Sequence, residues 1–364
     1  MKAKAAVFMG AHKDFDIREF DVVKAPSGYA AMEIIASGIC GTDIHMHNGK
    51  LGVSYPSIIG HEFVGRIIDV DEKEAEKYGL SKGDAVIADI AVPCGKCKLC
   101  ENGDDANCVN MAVTNGGSID EPPYLYGGYT QVNFTPLTNL IKLPKNVDPS
   151  AAAVFACPGP TAIHAFSLAA KAGVDLSKID CAVVQGFGPV GAFATMYLKK
   201  LGVKKVYVII AGANEKRDEM AKKIGADKVF SLSKDGAENV IKALQSENGG
   251  IGVDLCFEAS GAPQAFIQGI DILRNRGVYL VPGQYSASGT VELSPQLITF
   301  KALHIIGSSQ YSVCDVEKYV EFMSKNEDVF PMVREISSYY PIEKINEAVA
   351  DAKSGKNIKT LLVR

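Results

Sequence analysis

Cys94, Cys97, Cys100 and Cys108 fall within the run CGKCKLCENGDDANC, three thiols at every third position and a fourth one short loop later. Thiolates at this spacing can converge on one tetrahedral ion, and a site closed by four protein sulfurs is the structural zinc arrangement. The alternative is a chance gathering of free thiols. It fits poorly, because free cysteine is usually buried in apolar segments and this stretch is polar. The cluster implies a metal-stapled lobe and names no reaction.

A second constellation could carry chemistry. The segments GICGTDIHMHNG, IIGHEFVG and FACPGPTAIHAF offer Cys40, His61 and Cys157. Two thiolates and an imidazole, with a fourth position open to water or substrate, form one of the known catalytic zinc sets. Spacing alone does not pair residues this far apart. Each also has a plainer reading: Cys40 as core, His61 as a hydrogen-bonded core histidine, Cys157 as a buried helix thiol.

Gly186, Gly188 and Gly191, with Pro189 and Val190 between the last two, form G-x-G-x-x-G directly after the apolar strand Cys181 to Gln185 and at the mouth of a helix. The glycines permit a tight turn and close backbone approach, and the helix N-terminus attracts a pyrophosphate. In this strand-turn-helix setting the motif predicts nicotinamide dinucleotide binding. An acid about 20 residues on would hold the adenosine ribose hydroxyls. Here the next strand, VYVII, runs into Ala211, Gly212, Ala213 and Asn214 with no acid. That absence, with Lys216 and Arg217 close behind, tilts the choice to NADP(H) over NAD(H). The other reading leaves Lys216 and Arg217 as solvated helix residues and gives the ribose to Asn214.

These groups need a scaffold, and the elements that supply it change character along the chain. Up to Ser150 the pattern is of short strands between Gly-, Pro- and Asp-rich turns, such as Ala5 to Phe8, Met32 to Ser37, Phe63 to Val70 and Ala85 to Ile90. From Pro149 strands alternate with helices: helix Val190 to Leu201, strand Val206 to Ile210, helix Asn214 to Ile224, strands Lys228 to Phe230 and Val253 to Glu258, helix Pro263 to Leu273 and strand Gly277 to Val281. That alternation predicts a parallel, doubly wound sheet. After Phe300 the chain returns to mixed structure and ends in the strand-like Lys359 to Val363. At 364 residues there is material for about two or three domains. A net charge of -4 provides no global field for nucleic acid or an anionic membrane. Asp71 to Lys77 mixes both signs and reads as solvated surface. The N-terminal run acquires charges too soon for a signal peptide, and no apolar stretch reaches transmembrane length. Nine cysteines in this context predict a reducing cytoplasm, where thiols bind metal or stay free.

Taken together, the Cys40-Gly41-Thr42-Asp43 box, the Gly60-His61-Glu62-x-x-Gly65 box, the four-cysteine lobe and the Gly186 fingerprint resemble the zinc-dependent medium-chain alcohol dehydrogenases, in the branch of polyol and secondary-alcohol dehydrogenases. The resemblance covers nearly the whole chain. It implies an α/β protein with a mainly-β GroES-like catalytic domain over 1–155, a doubly wound Rossmann cofactor domain over 156–300 and a return to the catalytic domain over 301–364. It implies that Cys40, His61 and Cys157 bind the catalytic one of two zincs, with Glu62 behind the metal and able to replace water during exchange. Asp43 matches the carboxylate that orients the ligating histidine. Thr42 matches the hydroxyl that takes the substrate proton, and His45 the imidazole that passes it on through the cofactor ribose to solvent. His47 has no counterpart and reads as a surface residue. Thr161 matches a residue beside the nicotinamide, and Lys359 a basic residue near the pyrophosphate. Ile90 and Gln284 match positions that approach the substrate, with Gly41 leaving space beside the zinc.

The chain departs from the resemblance at three points. A cysteine, Cys157, stands where polyol dehydrogenases often carry glutamate. Gly212 occupies the position of the usual ribose-binding acid, and Asp71 to Ser81 is longer than usual. The expected reaction is reversible oxidation of a secondary alcohol or polyol to the ketone with hydride transfer to NAD(P). The rivals are an aldehyde reductase of the primary-alcohol type, a zinc-free enone reductase, against which Cys40, His61 and Cys157 argue, and a non-catalytic zinc-binding regulatory protein. Small-molecule substrates are expected, with no nucleic acid or membrane partner. The resemblance favours a homodimer or homotetramer, with a strand near Gly289 to Leu293 as a possible contact.

Overall fold

The computed structural model describes residues 1–286 and 288–364, and the chain separates into two compact units, Met1–Pro160 with Gln310–Arg364, and Thr161–Ser309. Among the described residues no helix is long and apolar enough to cross a membrane.

The first unit is built around the strand Tyr29–Ile39, which pairs antiparallel with Phe63–Val70, Val132–Pro136 and Lys359–Val363. Eleven residues long and largely buried, this strand has apolar or small residues on both faces, which suits a position with neighbours all round. Its far neighbours extend the sheet through Ala85–Ala88 to Leu140–Lys142 on one side and to Ser337–Pro341 on the other. The expected single strand Ala85 to Ile90 ends at Ala88, because Asp89 turns back and its carboxylate accepts the Ala91 N–H at 2.9 Å. Asp71–Lys77, expected as solvated surface, holds the short helix Glu72–Glu76, whose first turn is capped by the Asp71 carboxylate.

The second unit is a six-stranded parallel sheet in the order Lys228–Ser231, Lys205–Ile210, Cys181–Gln185, Val253–Glu258, Leu273–Val281, His304–Gly307. The chain starts in the middle, winds outward in one direction and then resumes on the other side. The carboxyl end of Cys181–Gln185 therefore lies at the switch point, where doubly wound sheets bind their ligands. The expected crossing out of this unit at residue 300 comes too early. His304–Gly307 pairs with Leu273–Val281 and completes the sheet, so the unit runs to Ser309. A four-residue strand after an exposed helix carries too little periodicity to be read from sequence. Gly289 to Leu293, expected as a contact strand, forms no strand, and Gly289 has φ +96°.

The glycine turn shows why two of its three positions, 186 and 191, are glycine. Gly186 has φ +89°, and a Cβ there would stand 2.8 Å from the Ser260 Cα. A Cβ on Gly191 would lie 2.0 Å from the Gly186 carbonyl oxygen, while Gly188 caps the helix Pro189–Lys200 and faces open space. Gly191→Ala must therefore push strand and helix apart. We expect it to destabilise this unit by about 3 kcal/mol, the upper end of ordinary overpacking, as read by denaturant unfolding.

Candidate active site

Three segments of the first unit bring Cys40, His61, Glu62 and Cys157 together, with one ligand atom from each lying within 4.8 Å of all the others. Cys40 ends the central strand and stands at the N-cap of the helix Gly41–His47. His61 and Glu62 follow Gly60, which has φ +96°, and lead into Phe63–Val70. Cys157 occupies the turn before the helix Pro158–Lys171. The helix Pro149–Val154 that precedes this turn is held by Tyr319, whose hydroxyl donates to the Ala152 carbonyl at 2.7 Å.

The surroundings hold these donors in place. Asp43, 2% exposed, accepts the Cys40 N–H at 2.9 Å and the Tyr129 hydroxyl at 2.8 Å, both on Oδ2. Its Oδ1 faces His61 Nδ1 at 3.4 Å, which leaves Nε2 as the ligand atom of the imidazole. Glu62 and Lys359 form an ion pair with both side chains fully buried. Gly38 makes room for it, since a Cβ there would sit 2.3 Å from Glu62 Oε2. The other oxygen, Glu62 Oε1, is buried without a hydrogen-bond partner.

Electrostatics single out the same group. A hydrogen bond with Cys157, aided by His61, holds the Cys40 thiol well below its usual range, and the shared proton pushes Cys157 well up. Burial would lower the His61 imidazole, but Asp43 and Cys40 override it and hold it well above its ordinary value. Burial raises Glu62 to about 7 against the pull of Lys359. Two thiols, an imidazole and a carboxylate oxygen without a partner, packed around one point, fit a zinc ion. The lobe cysteines Cys94, Cys97, Cys100 and Cys108 also lie within 4.8 Å of one another. Positive φ at Gly95 and Gly103 bends the lobe, and the Cys94 N–H points at Cys108 Sγ at 3.2 Å. This set fits a closed four-sulfur zinc site, with no position left for substrate.

Thr42 and His45 lie on the helix Gly41–His47, half-buried, and the Cys40 thiol is 3.7 Å from the Thr42 hydroxyl. His47 is half-buried between the Phe8 and Phe15 rings, with Lys353 at 3.0 Å, rather than a plain surface residue. Ile90 is half-buried, and its carbonyl accepts the Thr114 N–H. Lys359 departs from expectation. It is sealed against Glu62 behind the donor cluster, not open to a cofactor pyrophosphate, because Thr360 pairs with Ile39 and turns its neighbour inward.

In the second unit, Gly186, Gly188, Pro189, Val190 and Gly191 form the turn described above. Gly212 is exposed with open space around it. Asn214 caps the helix Glu215–Ile224 by accepting the Arg217 N–H at 3.1 Å, and Ser233 Oγ accepts the Ala213 N–H at 3.0 Å. In this unit Thr161 is half-buried and Gln284 is exposed. Three groups escaped sequence reasoning. Tyr129 touches Asp43. The buried Tyr311 hydroxyl bonds to Cys157. Glu258, fully buried, ties the Ser260 N–H to the Tyr285 hydroxyl, both at 2.7 Å, across the ends of neighbouring strands. The crowded Gly-Gly pair before Tyr129 was the one available signal.

Comparison with known proteins agrees with this geometry. Residues 26–145 match the alcohol dehydrogenase GroES-like domain, and residues 189–325 match the zinc-binding dehydrogenase domain. A 5-exo-hydroxycamphor dehydrogenase of Pseudomonas putida is 29% identical over 99% of this chain and 98% of its own. An L-threonine 3-dehydrogenase of Yersinia pestis is 27% identical over 91% of each chain. A crystal structure of an alcohol dehydrogenase from Thermotoga maritima superposes with a TM-score of 0.88 at 27% identity, covering 100% of this chain and 99% of that one. With both domain types in order along the chain and a thiol-imidazole donor set within the first, the chain belongs to the zinc-dependent medium-chain alcohol dehydrogenase family.

Proposed function

We propose that this chain oxidises a secondary alcohol or polyol to the ketone, reversibly, with zinc held by Cys40, His61 and Cys157 and with NADP(H) preferred over NAD(H). The observation that carries this reading is the convergence of those three side chains with Glu62 in a buried cluster whose imidazole is oriented by Asp43. Bound zinc supplies a Lewis acid that lowers the pKa of a hydroxyl by several units, and bound nicotinamide accepts the hydride. The residues of the chain do the rest. Thr42 Oγ1 takes the proton leaving the substrate hydroxyl. His45, three residues along the same helix and so on the same face, relays it to solvent. Asp43 fixes the His61 ring, and Lys359 holds Glu62 back from the metal while keeping it near. Ile90 and Gln284 are the residues assigned to substrate.

Cys94, Cys97, Cys100 and Cys108 take a second, structural zinc. Gly186 to Gly191, Gly212, Asn214, Arg217 and Thr161 take the dinucleotide. The exposed, acid-free Gly212 to Asn214 corner supports NADP(H), although Asn214 is already occupied as a helix cap. The same reading takes the protein as a cytoplasmic homodimer or homotetramer.

Initial rates on 2-butanol, 2,3-butanediol and a hexitol, each with NADP and with NAD, test the reaction. Turnover is expected on at least one with zinc present; none on any would overturn the substrate class. Gly212→Asp should shift preference toward NAD(H), since the new carboxylate has open space and repels a 2′-phosphate; an unchanged ratio of kcat/KM for the two cofactors would sink the ribose assignment. Cys100→Ala should lose one zinc per chain and several degrees of Tm, because structural zinc contributes folding energy. A zinc-replete variant with native Tm would remove the structural role.

A further inference from the structure

Tyr129 is fully buried in the first unit, yet it ends in a hydroxyl, and the chain makes unusual provision for it. Its backbone is fixed on two sides. The Tyr129 N–H donates to the Ile59 carbonyl at 3.1 Å, and the Tyr129 carbonyl accepts the Ala6 N–H at 2.9 Å. Three glycines let the segment carrying His61 and Glu62 lie directly against it. A Cβ on Gly127 would stand 2.0 Å from the Ile58 carbonyl oxygen, and one on Gly128 would stand 2.5 Å from the Phe63 ring. Gly60, at φ +96°, would place a Cβ 2.5 Å from the Tyr129 ring itself. The phenol is thus delivered by rigid backbone to one acceptor, Asp43 Oδ2 at 2.8 Å.

That oxygen also takes the Cys40 N–H, so both donors hold Oδ2 and only Oδ1 is turned toward His61. We propose that Tyr129 is a positioning residue of the metal centre, its hydroxyl locking the Asp43 carboxylate in the orientation that holds His61 for the ion. The inference rests on the reading of Cys40, His61 and Cys157 as zinc ligands. Its energetics favour one direction. Without the hydroxyl, Asp43 in the metal-free protein can turn to other donors, whereas in the loaded protein turning would cost the His61 orientation. The loss therefore falls on the loaded state, and metal affinity drops.

The test is zinc release to a chromogenic chelator from the full chain, with the phase absent in Cys40→Ala marking this site. Tyr129→Phe keeps the ring that packs edge-on against Phe15. It should release zinc from that phase about 10- to 100-fold more readily, the usual effect of losing an outer hydrogen bond, while the lobe phase stays unchanged. In an Asp43→Asn background, Tyr129→Phe should bring little further loss. The cobalt-substituted protein gives an independent readout, in which the absorption bands should move in opposite directions for Tyr129→Phe and for 3-fluorotyrosine in place of Tyr129, a stronger donor of the same shape. Native release in Tyr129→Phe, equal loss from both zinc phases, or losses that add with Asp43→Asn would overturn the proposal. If Tyr129→Phe fails to fold, an unshifted cobalt band in the fluorinated protein overturns it alone. A native chain that shows no Cys40-dependent phase would instead overturn the zinc-ligand reading beneath it.

Discussion

Charge burial is the constraint on which the first unit depends. Glu62 and Asp43 are buried beside the half-buried thiols Cys40 and Cys157, and Lys359 is the cation that balances them from within the protein. A carboxylate removed from water without a partner is expensive, and breaking a buried ion pair on one side typically costs about 3–5 kcal/mol. The surrounding architecture answers to that. Gly38 gives up its side chain so that Glu62 and Lys359 can meet, and the strand Lys359–Val363 is zipped against Tyr29–Ile39 in the register that points Lys359 inward. The sheet is long and central because it must bring Cys40, His61 and Lys359 to one end. A positive ion among the thiols completes the balance, so the need for metal and the need for a stable core are the same electrostatic requirement.

Much of this was legible in the sequence where spacing is short. The lobe cysteines lie within a single run, and the glycine turn follows its strand directly, so local geometry alone brings each set together. The strand Phe63–Val70 and the helices starting at Pro189, Glu215 and Pro263 were likewise visible from periodicity and caps. The distant set was different. Cys40, His61 and Cys157 carry no mutual spacing signal, and only their likeness to known motif boxes linked them before the fold did.

What stayed hidden is what depends on long-range register. The contact of Lys359 with Glu62 spans 297 residues, and no local pattern records it; likeness alone sent Lys359 to a cofactor phosphate instead. Tyr129 gave only the pair of glycines before it, which in a sequence reads as a turn and in the fold proves to be a close approach of two backbones. His304–Gly307 is too short to show a period, so the edge of the parallel sheet was placed a few residues early. Gly289 to Leu293 has the composition of a strand but forms none among the described residues.

The inward turn of Lys359 also bears on how the protein is made. Residues 29–39 and 61–70 leave the ribosome with Glu62 already destined for the interior, hundreds of residues before its counter-charge is synthesised. Through most of translation the nascent first unit must keep that carboxylate wet, protonated or screened by a captured ion. Closure of the metal-bearing end of the sheet then waits until the intervening parallel-sheet unit has been translated in full. A product cut short before residue 359 would carry every proposed ligand and still lack the charge that lets them be buried.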